Sequence, residues 1–224
     1  MADTGEASAV RLKTDLFGTV DRVERTLDGQ QVVLVRRDTR AGRWWLRTVA
    51  RRLAAREARA LAAVADIPGV PRLISWSDGI LERSWLDGQP MQVAKPRSIA
   101  YFRDALRMLR RLHRARLAHN DLAKEPNWLV LEDGGPGILD FQLATVSPRR
   151  GRLFRMRARE DIRYLLKHKR TYCPQALTAR QKQMLDTPAV LSRVWMATGK
   201  RLYWLVTRRL LKWADREGAG DRNL

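Results

Sequence analysis

Two Asp-Gly pairs, each flanked by runs of alternating apolar and polar residues, constrain the fold of this chain more than any other feature. Asp28-Gly29 separates GTVDRVERTL from QQVVLVRR, and Asp78-Gly79 lies inside RLISWSDGILERSWL. Asp-Gly favours the positive φ angles of a two-residue turn, so each pair predicts an antiparallel β-hairpin. Between them, residues 43–65 carry apolar side chains at helical spacing and predict an α-helix.

The pattern changes after the second hairpin. Residues 98–117 predict a helix with a stripe of apolar side chains, followed by a short strand WLVL, a turn at EDGGPG, a strand GILDF and then basic helices. The fold class expected is therefore α+β. We expect a strand-rich part over residues 1–86 and a mainly helical part over residues 87–224, joined by a short connector near Ser84–Pro90.

One acidic residue interrupts the apolar stripe of the first predicted helix. Glu57 falls four residues after Leu53 and four before Leu61. A carboxylate there is either partly exposed at the boundary of the core, or buried and paired with a cation, because an unpaired buried charge is costly. The preceding strand offers Arg36 and Arg37 as cations, and the sequence leaves both alternatives open.

Two polar segments next to apolar runs carry the candidate chemistry. HNDLAKEPNWLV contains His119, Asp121 and Asn127, and ILDFQLA contains Asp140. Phosphoryl transfer needs one carboxylate to orient the attacking hydroxyl and another to hold Mg²⁺ on the phosphates, and an Asn oxygen can ligate the same ion. Each segment alone is also typical of an ordinary turn or strand end.

The order of these features resembles the protein-kinase-like fold, with its glycine loop, strand cation, helix Glu, hinge, H-x-D, N and D-F. REARALAAVADIPGVPRL, HNDLAKEPNWLV and LDFQLA are similar to the small bacterial branch that contains the lipopolysaccharide-core (Kdo and heptose) kinases and is related to RIO-type kinases. The resemblance covers roughly Leu16 to Leu166. It implies a two-lobed fold, with a small antiparallel sheet and one helix in the N-lobe and a mainly helical C-lobe.

The resemblance also implies a role for each matched residue. ATP and Mg²⁺ would be the cofactors, and Asp161 would brace the catalytic loop from a later helix. The implied catalytic residues are Asp121, Lys124 and His119, the nucleotide-binding residues are Gly18, Arg37 and Glu57, and the metal ligands are Asn127 and Asp140.

This chain departs from the family pattern at several positions. Arginine replaces the strand lysine, a single glycine remains of the glycine loop, Phe141-Gln142 follows Asp140, and no A-P-E segment follows. The main expectation is a kinase acting on a hydroxyl of a lipopolysaccharide-core sugar or similar envelope glycolipid. The alternatives are a RIO-like serine/threonine protein kinase, and a pseudokinase that binds an anionic membrane or nucleic acid.

The net charge of +20 is concentrated at one end, since residues 141–224 hold 20 Lys and Arg against 6 Asp and Glu. The amphipathic basic segments 149–170 and 190–213 predict an anionic partner, with an Arg-rich solvated surface as the alternative. An anionic membrane, contacted peripherally, is one such partner, and the alternative is that the apolar face of 190–213 closes the helical part of the fold. No nucleic-acid-binding motif supports the nucleic acid alternative.

Cysteine content and the N-terminal sequence bear on the compartment. The single Cys173 predicts a reducing environment, and residues 1–30 have no apolar core typical of a secretory signal. We therefore expect a cytoplasmic protein, either free or peripheral on the inner face of the cytoplasmic membrane.

Overall fold

A computed structural model describes residues 6–27 and 30–186 of the chain. The described residues as far as Ala179 form one compact unit, and a second unit begins at Arg180 and is described as far as Asp186. The predicted amphipathic segment 190–213 lies outside the described residues.

An antiparallel five-stranded sheet forms the first part of the chain. Its order is β1-β2-β3-β5-β4, and one helix, α1, separates β3 from β4 in sequence. The bounds are β1 Glu6–Asp15, β2 Gly18–Leu27, β3 Gln30–Asp38, α1 Arg47–Ala62, β4 Leu73–Ser77 and β5 Ile80–Ser84.

Both predicted hairpins are confirmed. Leu27 pairs with Gln30 across the first, whose Asp28-Gly29 turn itself lies outside the described residues. In the second, Asp78 and Gly79 have φ angles of 48° and 82°, both in the left-handed region that a two-residue hairpin turn requires.

Helix α1 packs on one face of the sheet through small side chains. Ala54 and Ala58 contact Leu81 of β5, and the small side chains let helix and sheet lie close together. The helix begins at Arg47, four residues later than predicted, because residues 43–46 form a separate hydrogen-bonded turn. In that turn the N–H of Leu46 donates to the carbonyl of Arg43 at 2.9 Å.

The described residues after β5 are mainly helical, with short strands between the helices. The strands form a three-stranded sheet β6-β8-β9 and a pair β7-β10. The bounds are β6 Gly88–Pro90, α2 Met91–Ala94, α3 Ile99–Arg114, β7 Leu117–Ala118, β8 Trp128–Leu131, β9 Pro136–Ile138, β10 Thr145–Val146, α4 Arg152–Tyr172 and α5 Ala179–Asp186.

The antiparallel sheet followed by a mainly helical part confirms the α+β class. The largest core cluster is built around α3. Leu109, Leu112, Trp128 and Ile138 are almost fully buried in it, whereas the predicted stripe residue Ile99 lies exposed at the start of the helix. Within the described part of the chain, no helix combines the length and the apolar character needed to cross a membrane.

Candidate functional site

The loop at residues 119–127, between β7 and β8, is fixed by a buried carboxylate from α4. The backbone N–H groups of His119 and Asn120 donate to Asp161 Oδ2 and Oδ1 at 2.8 and 3.0 Å. His113 Nε2 lies 3.1 Å from Oδ2. A buried carboxylate is tolerated when its lone pairs accept hydrogen bonds. The sequence-based expectation that Asp161 braces this loop from a later helix is confirmed.

The side chain of His119 links this loop to the segment after β9. Its Nε2 donates to the carbonyl of Leu139 at 2.9 Å, and the backbone N–H of Asp121 donates to Nδ1 at 3.3 Å. Both bonds fit the neutral imidazole, and burial lowers the pKa of His119. The ring also meets Phe141 edge-on, with 4.7 Å between centroids. His119 therefore holds two segments together as an uncharged side chain.

Three of the predicted site residues are in direct contact. The side-chain amide of Asn127 donates to the Asp121 carbonyl at 2.8 Å and to Asp121 Oδ2 at 3.1 Å. Lys124 Nζ lies 3.1 Å from the same Oδ2, although 62% of the lysine side chain is exposed. These bonds use the nitrogen of the Asn127 amide, so its oxygen remains able to accept a donor or ligate a cation.

Asp140 is brought next to this loop by a backbone hydrogen bond. The N–H of Leu139 donates to the carbonyl of Asn127 at 2.9 Å, which places the two segments side by side. Asp140 itself has φ 61° and ψ 72°, and its Oδ1 accepts from the N–H of Gln142 at 3.4 Å. Asp is among the residues that tolerate the left-handed region. This backbone turn ends the strand at Ile138, earlier than the predicted GILDF strand.

The donor set around Asp140 fits a magnesium ion shared with phosphates. Mg²⁺ prefers oxygen ligands and is commonly held by one or two side chains plus substrate phosphates and water. Asp140 and Asn127 supply a carboxylate and an amide oxygen of this type. Over residues 6–27 and 30–186, no group of three or more His, Cys, Asp and Glu side chains could hold a metal. An ion held by Asp140 and Asn127 would take its remaining ligands from phosphates and water.

Glu57 is buried, with 1% of its side chain exposed, so the boundary interpretation of this residue is wrong. Arg37 Nε lies 3.9 Å from Glu57 Oε2, which agrees with the choice of Arg37 as the strand cation. A second cation lies closer, because Arg83 Nε of β5 is 3.4 Å from Glu57 Oε1. Arg36 points to the other face of the sheet and pairs with Glu82 at 3.0 Å.

Burial opposes the charges of this ion pair. Desolvation raises the pKa of Glu57 in spite of Arg83 and Arg37, and it lowers the pKa of Arg83 in spite of Glu57. Glu57 Oε2 has no hydrogen-bond partner among the described residues. The negative charge of Asp140 also acts on both groups. Two carboxylates and two guanidinium groups thus form one electrostatic cluster between sheet, helix and the segment after β9.

Gly18 is required by a close approach of two backbones. It starts β2 with φ 136°, and a Cβ there would lie 2.1 Å from the carbonyl oxygen of Asp38 at the end of β3. No other residue could occupy this position without moving the strand. This contact explains the glycine in structural terms, and its predicted role in nucleotide binding stays a prediction.

Two side chains that the sequence did not single out hold the segment at 143–145. Arg56 of α1 donates to Ala144 O at 2.6 Å, and to Leu143 O and Thr145 Oγ1 at 2.9 Å each. The Asn120 amide donates to Leu143 O at 2.8 Å and to Thr145 Oγ1 at 3.1 Å. We call these five contacts the 143–145 clamp. It joins α1, the loop at 119–127 and the segment after Asp140.

Sequence reasoning missed Arg83 and Arg56 for different reasons. Strand alternation in ILERS puts Arg83 on the same face as the buried Leu81, so its inward direction could have been inferred. Arg56 gives no comparable signal, because its acceptors are backbone and hydroxyl oxygens almost ninety residues away along the chain.

Comparison with known proteins adds no relative, since no protein-family model and no curated protein matches this chain.

Proposed function

We propose that this chain is an ATP-dependent phosphotransferase of the protein-kinase-like type, which moves the γ-phosphoryl group to a hydroxyl. The observation that carries the proposal is the convergence of three oxygen-bearing side chains from two separate segments. Asn127 bonds directly to Asp121, and its carbonyl bonds to the residue before Asp140. Asp161 and His119 hold both segments in position.

In the proposed reaction Asp121 accepts a hydrogen bond from the acceptor hydroxyl and aligns its oxygen with the γ-phosphorus. The oxygen attacks the γ-phosphorus as the bond from that phosphorus to the bridging β-phosphate oxygen breaks. The hydroxyl proton passes to the Asp121 carboxylate, and ADP departs with the electron pair of the broken bond. Asn127 and Lys124 fix the Asp121 carboxylate, and the exposed ammonium of Lys124 can also face the transferred phosphoryl. Mg²⁺ held by Asp140 and Asn127 would neutralise phosphate charge.

The Arg83 contact bears on the replacement of the family's strand lysine by Arg37. Arg83 is the nearer partner of Glu57, since its Nε lies 3.4 Å from Glu57 Oε1, whereas Arg37 Nε lies 3.9 Å from Glu57 Oε2. Glu57 therefore does not depend on Arg37 for its counter-charge, and the partly exposed guanidinium of Arg37 keeps donors for a phosphate. A planar guanidinium binds phosphate oxygens in pairs. This arrangement favours a working nucleotide site over the pseudokinase alternative.

The proposed acceptor is the hydroxyl of an anionic glycolipid sugar, such as a lipopolysaccharide-core sugar. Only residues 147–151 lie between β10 and α4, so little chain is available to form the platform on which protein kinases align a peptide. Arg149, Arg150 and Arg152 are exposed there, and Arg150 donates to the carbonyl of Arg114. A cationic border beside the site favours an acceptor that carries phosphate or carboxylate groups.

The experiment that tests the function is transfer of label from γ-labelled ATP into separated bacterial envelope and cytosol fractions. We expect label in the glycolipid fraction with the wild-type chain and none with Asp121→Asn. Label in protein would instead support the RIO-like serine/threonine kinase. Absence of label in every fraction, from a chain with normal thermal unfolding, would contradict the kinase proposal.

Nucleotide binding separates the metal assignment from the chemistry. We expect Asp140→Ala to lose Mg-dependent binding of ATP in a calorimetric titration, whereas Asp121→Asn retains it because Asp121 faces the acceptor. Unchanged Mg-dependent binding by Asp140→Ala would contradict the assignment of Asp140 as a metal ligand.

A further inference from the structure

Two adjacent tryptophans on the turn before α1 are exposed to solvent. Trp44 is 80% and Trp45 48% exposed, and Val49 in the first turn of the helix is 43% exposed. Single exposed apolar side chains are common on folded proteins, but a contiguous group that includes two indoles indicates a contact surface. We call Trp44, Trp45 and Val49 the tryptophan turn surface.

The local backbone holds these side chains together. The N–H of Leu46 donates to Arg43 O at 2.9 Å and that of Ala50 to Leu46 O at 2.9 Å, so the turn continues into α1. Trp45 and Val49 are four residues apart and therefore lie on one side of this helical path. The turn is also backed by the β1–β2 hairpin, because the N–H of Arg43 donates to Leu16 O at 3.0 Å. The surface is thus part of the folded unit.

Four exposed arginines lie in the same turn and the first turns of α1, namely Arg43, Arg47, Arg51 and Arg52. None of them forms an ion pair with a carboxylate among the described residues. Arg40 differs, since it is paired with Asp38 at 2.8 Å. The positive charge around the indoles is therefore available to an external anion.

We propose that the tryptophan turn surface binds an anionic lipid bilayer. Indole rings settle at the level of lipid headgroups, where the ring contacts apolar chains and the N–H remains hydrated. Val49 adds aliphatic area, and the four arginines complement anionic headgroups, each charge strengthening surface binding about fivefold. The residues of this surface are distinct in sequence from the basic segments after residue 140, and the proposal does not depend on the phosphotransferase activity.

Charge and aromatic rings also suit single-stranded nucleic acid, but the present set favours a bilayer. Binding a strand uses successive rings along a groove that follows its phosphates. Here the two rings are neighbours in sequence on an outward turn, and the side chain beside them is aliphatic and offers no stacking face. Nucleic acid is therefore an outcome of the test.

The test is flotation of the full-length chain with vesicles of phosphatidylcholine alone, and with vesicles of phosphatidylcholine and phosphatidylglycerol in equal parts. We expect binding to the anionic vesicles, and at least about a tenfold loss in Trp44→Ser/Trp45→Ser. The matched control is Trp195→Ser/Trp213→Ser in the basic C-terminal segment, which leaves the turn intact. Both variants are compared with wild type for thermal unfolding, because the turn residues are exposed and their loss should leave stability unchanged.

A second readout reports insertion directly. Acyl-chain-brominated phosphatidylcholine in the anionic vesicles should quench part of the wild-type tryptophan emission, and this quenching should be absent in Trp44→Ser/Trp45→Ser. Equal flotation of the turn variant and wild type, or loss only in the C-terminal variant, would overturn the proposal. Binding to polyuridylate that depends on the two tryptophans, without flotation, would overturn it in favour of nucleic acid.

Discussion

At the scale of single residues, Glu57 differs from every neighbour in its helix because it is a carboxylate in the apolar stripe. Its position between Leu53 and Leu61 allows either partial exposure at the core boundary or burial beside a strand arginine, and the structure shows burial. Arg37 is found there, but Arg83 lies closer. The second partner depends on the register that sets Val35 opposite Arg83, which local sequence does not specify.

Removing one member of this ion pair should be costly. Glu57→Ala leaves the buried Arg83 without its nearest counter-charge, so we expect the free energy of unfolding to fall by about 3 kcal/mol. Glu57→Leu combined with Arg83→Met should recover most of the loss, because both charges are removed together. Urea unfolding of wild type, Glu57→Ala and the double variant measures these free energies of unfolding.

A surface pair provides the control for that series. Glu24 pairs with Arg22 at 2.6 Å and is 39% exposed. Glu24→Ala should lower the free energy of unfolding by less than about 1 kcal/mol. A double variant as unstable as Glu57→Ala alone would show that packing, and not charge, sets the stability at this position.

At the scale of secondary-structure elements, local chemistry predicts the hairpins well and the long-range contacts poorly. Asp-Gly turns and alternating apolar residues are properties of a few neighbouring residues, and both hairpins form as predicted. Helix α1 begins four residues late because the turn that carries Trp44 and Trp45 bonds to the β1–β2 hairpin, a contact between distant residues. The apolar pattern of α1 likewise gives no indication of the 143–145 clamp.

The clamp predicts a specific effect of Arg56. Arg56→Ala removes three hydrogen bonds from a charged donor, so we expect a loss of about 2 kcal/mol in stability and slower phosphoryl transfer. Arg56→Lys should restore little of either, since one ammonium cannot match the planar arrangement of donors. The measurements are urea unfolding and initial transfer rates.

Arg59 is the matched control, because it lies exposed on the same helix. Arg59→Ala should leave both stability and transfer rate near wild type. Wild-type transfer by Arg56→Ala would show that the clamp has no part in activity.

At the scale of the whole molecule, buried histidines make stability depend on pH. Burial lowers the pKa of His119 and of His168, whose Nε2 donates to Leu122 O at 2.8 Å. The unfolded chain binds protons at these positions near its ordinary pKa of 6.5, before the folded protein does. Stability is therefore fully present above about pH 6.5 and falls as the pH decreases below it, by up to about 1.4 kcal/mol per pH unit for each histidine.

Thermal unfolding between about pH 7.5 and about pH 5.5 measures this dependence. His168→Gln keeps a donor for Leu122 O but cannot titrate, so its unfolding temperature should fall less steeply than that of wild type. Parallel curves for the variant and wild type would assign the acid sensitivity to other groups.

The 143–145 clamp has a consequence for how the proposed kinase would be controlled in a cell. Its donors and acceptors are all native side chains and backbone carbonyls, so the hold is complete as soon as the chain has folded. Many kinases keep an activation loop loose until an added phosphate supplies the missing charge. The activity of the proposed kinase in a cell would then depend on how much protein is made and on its access to the acceptor.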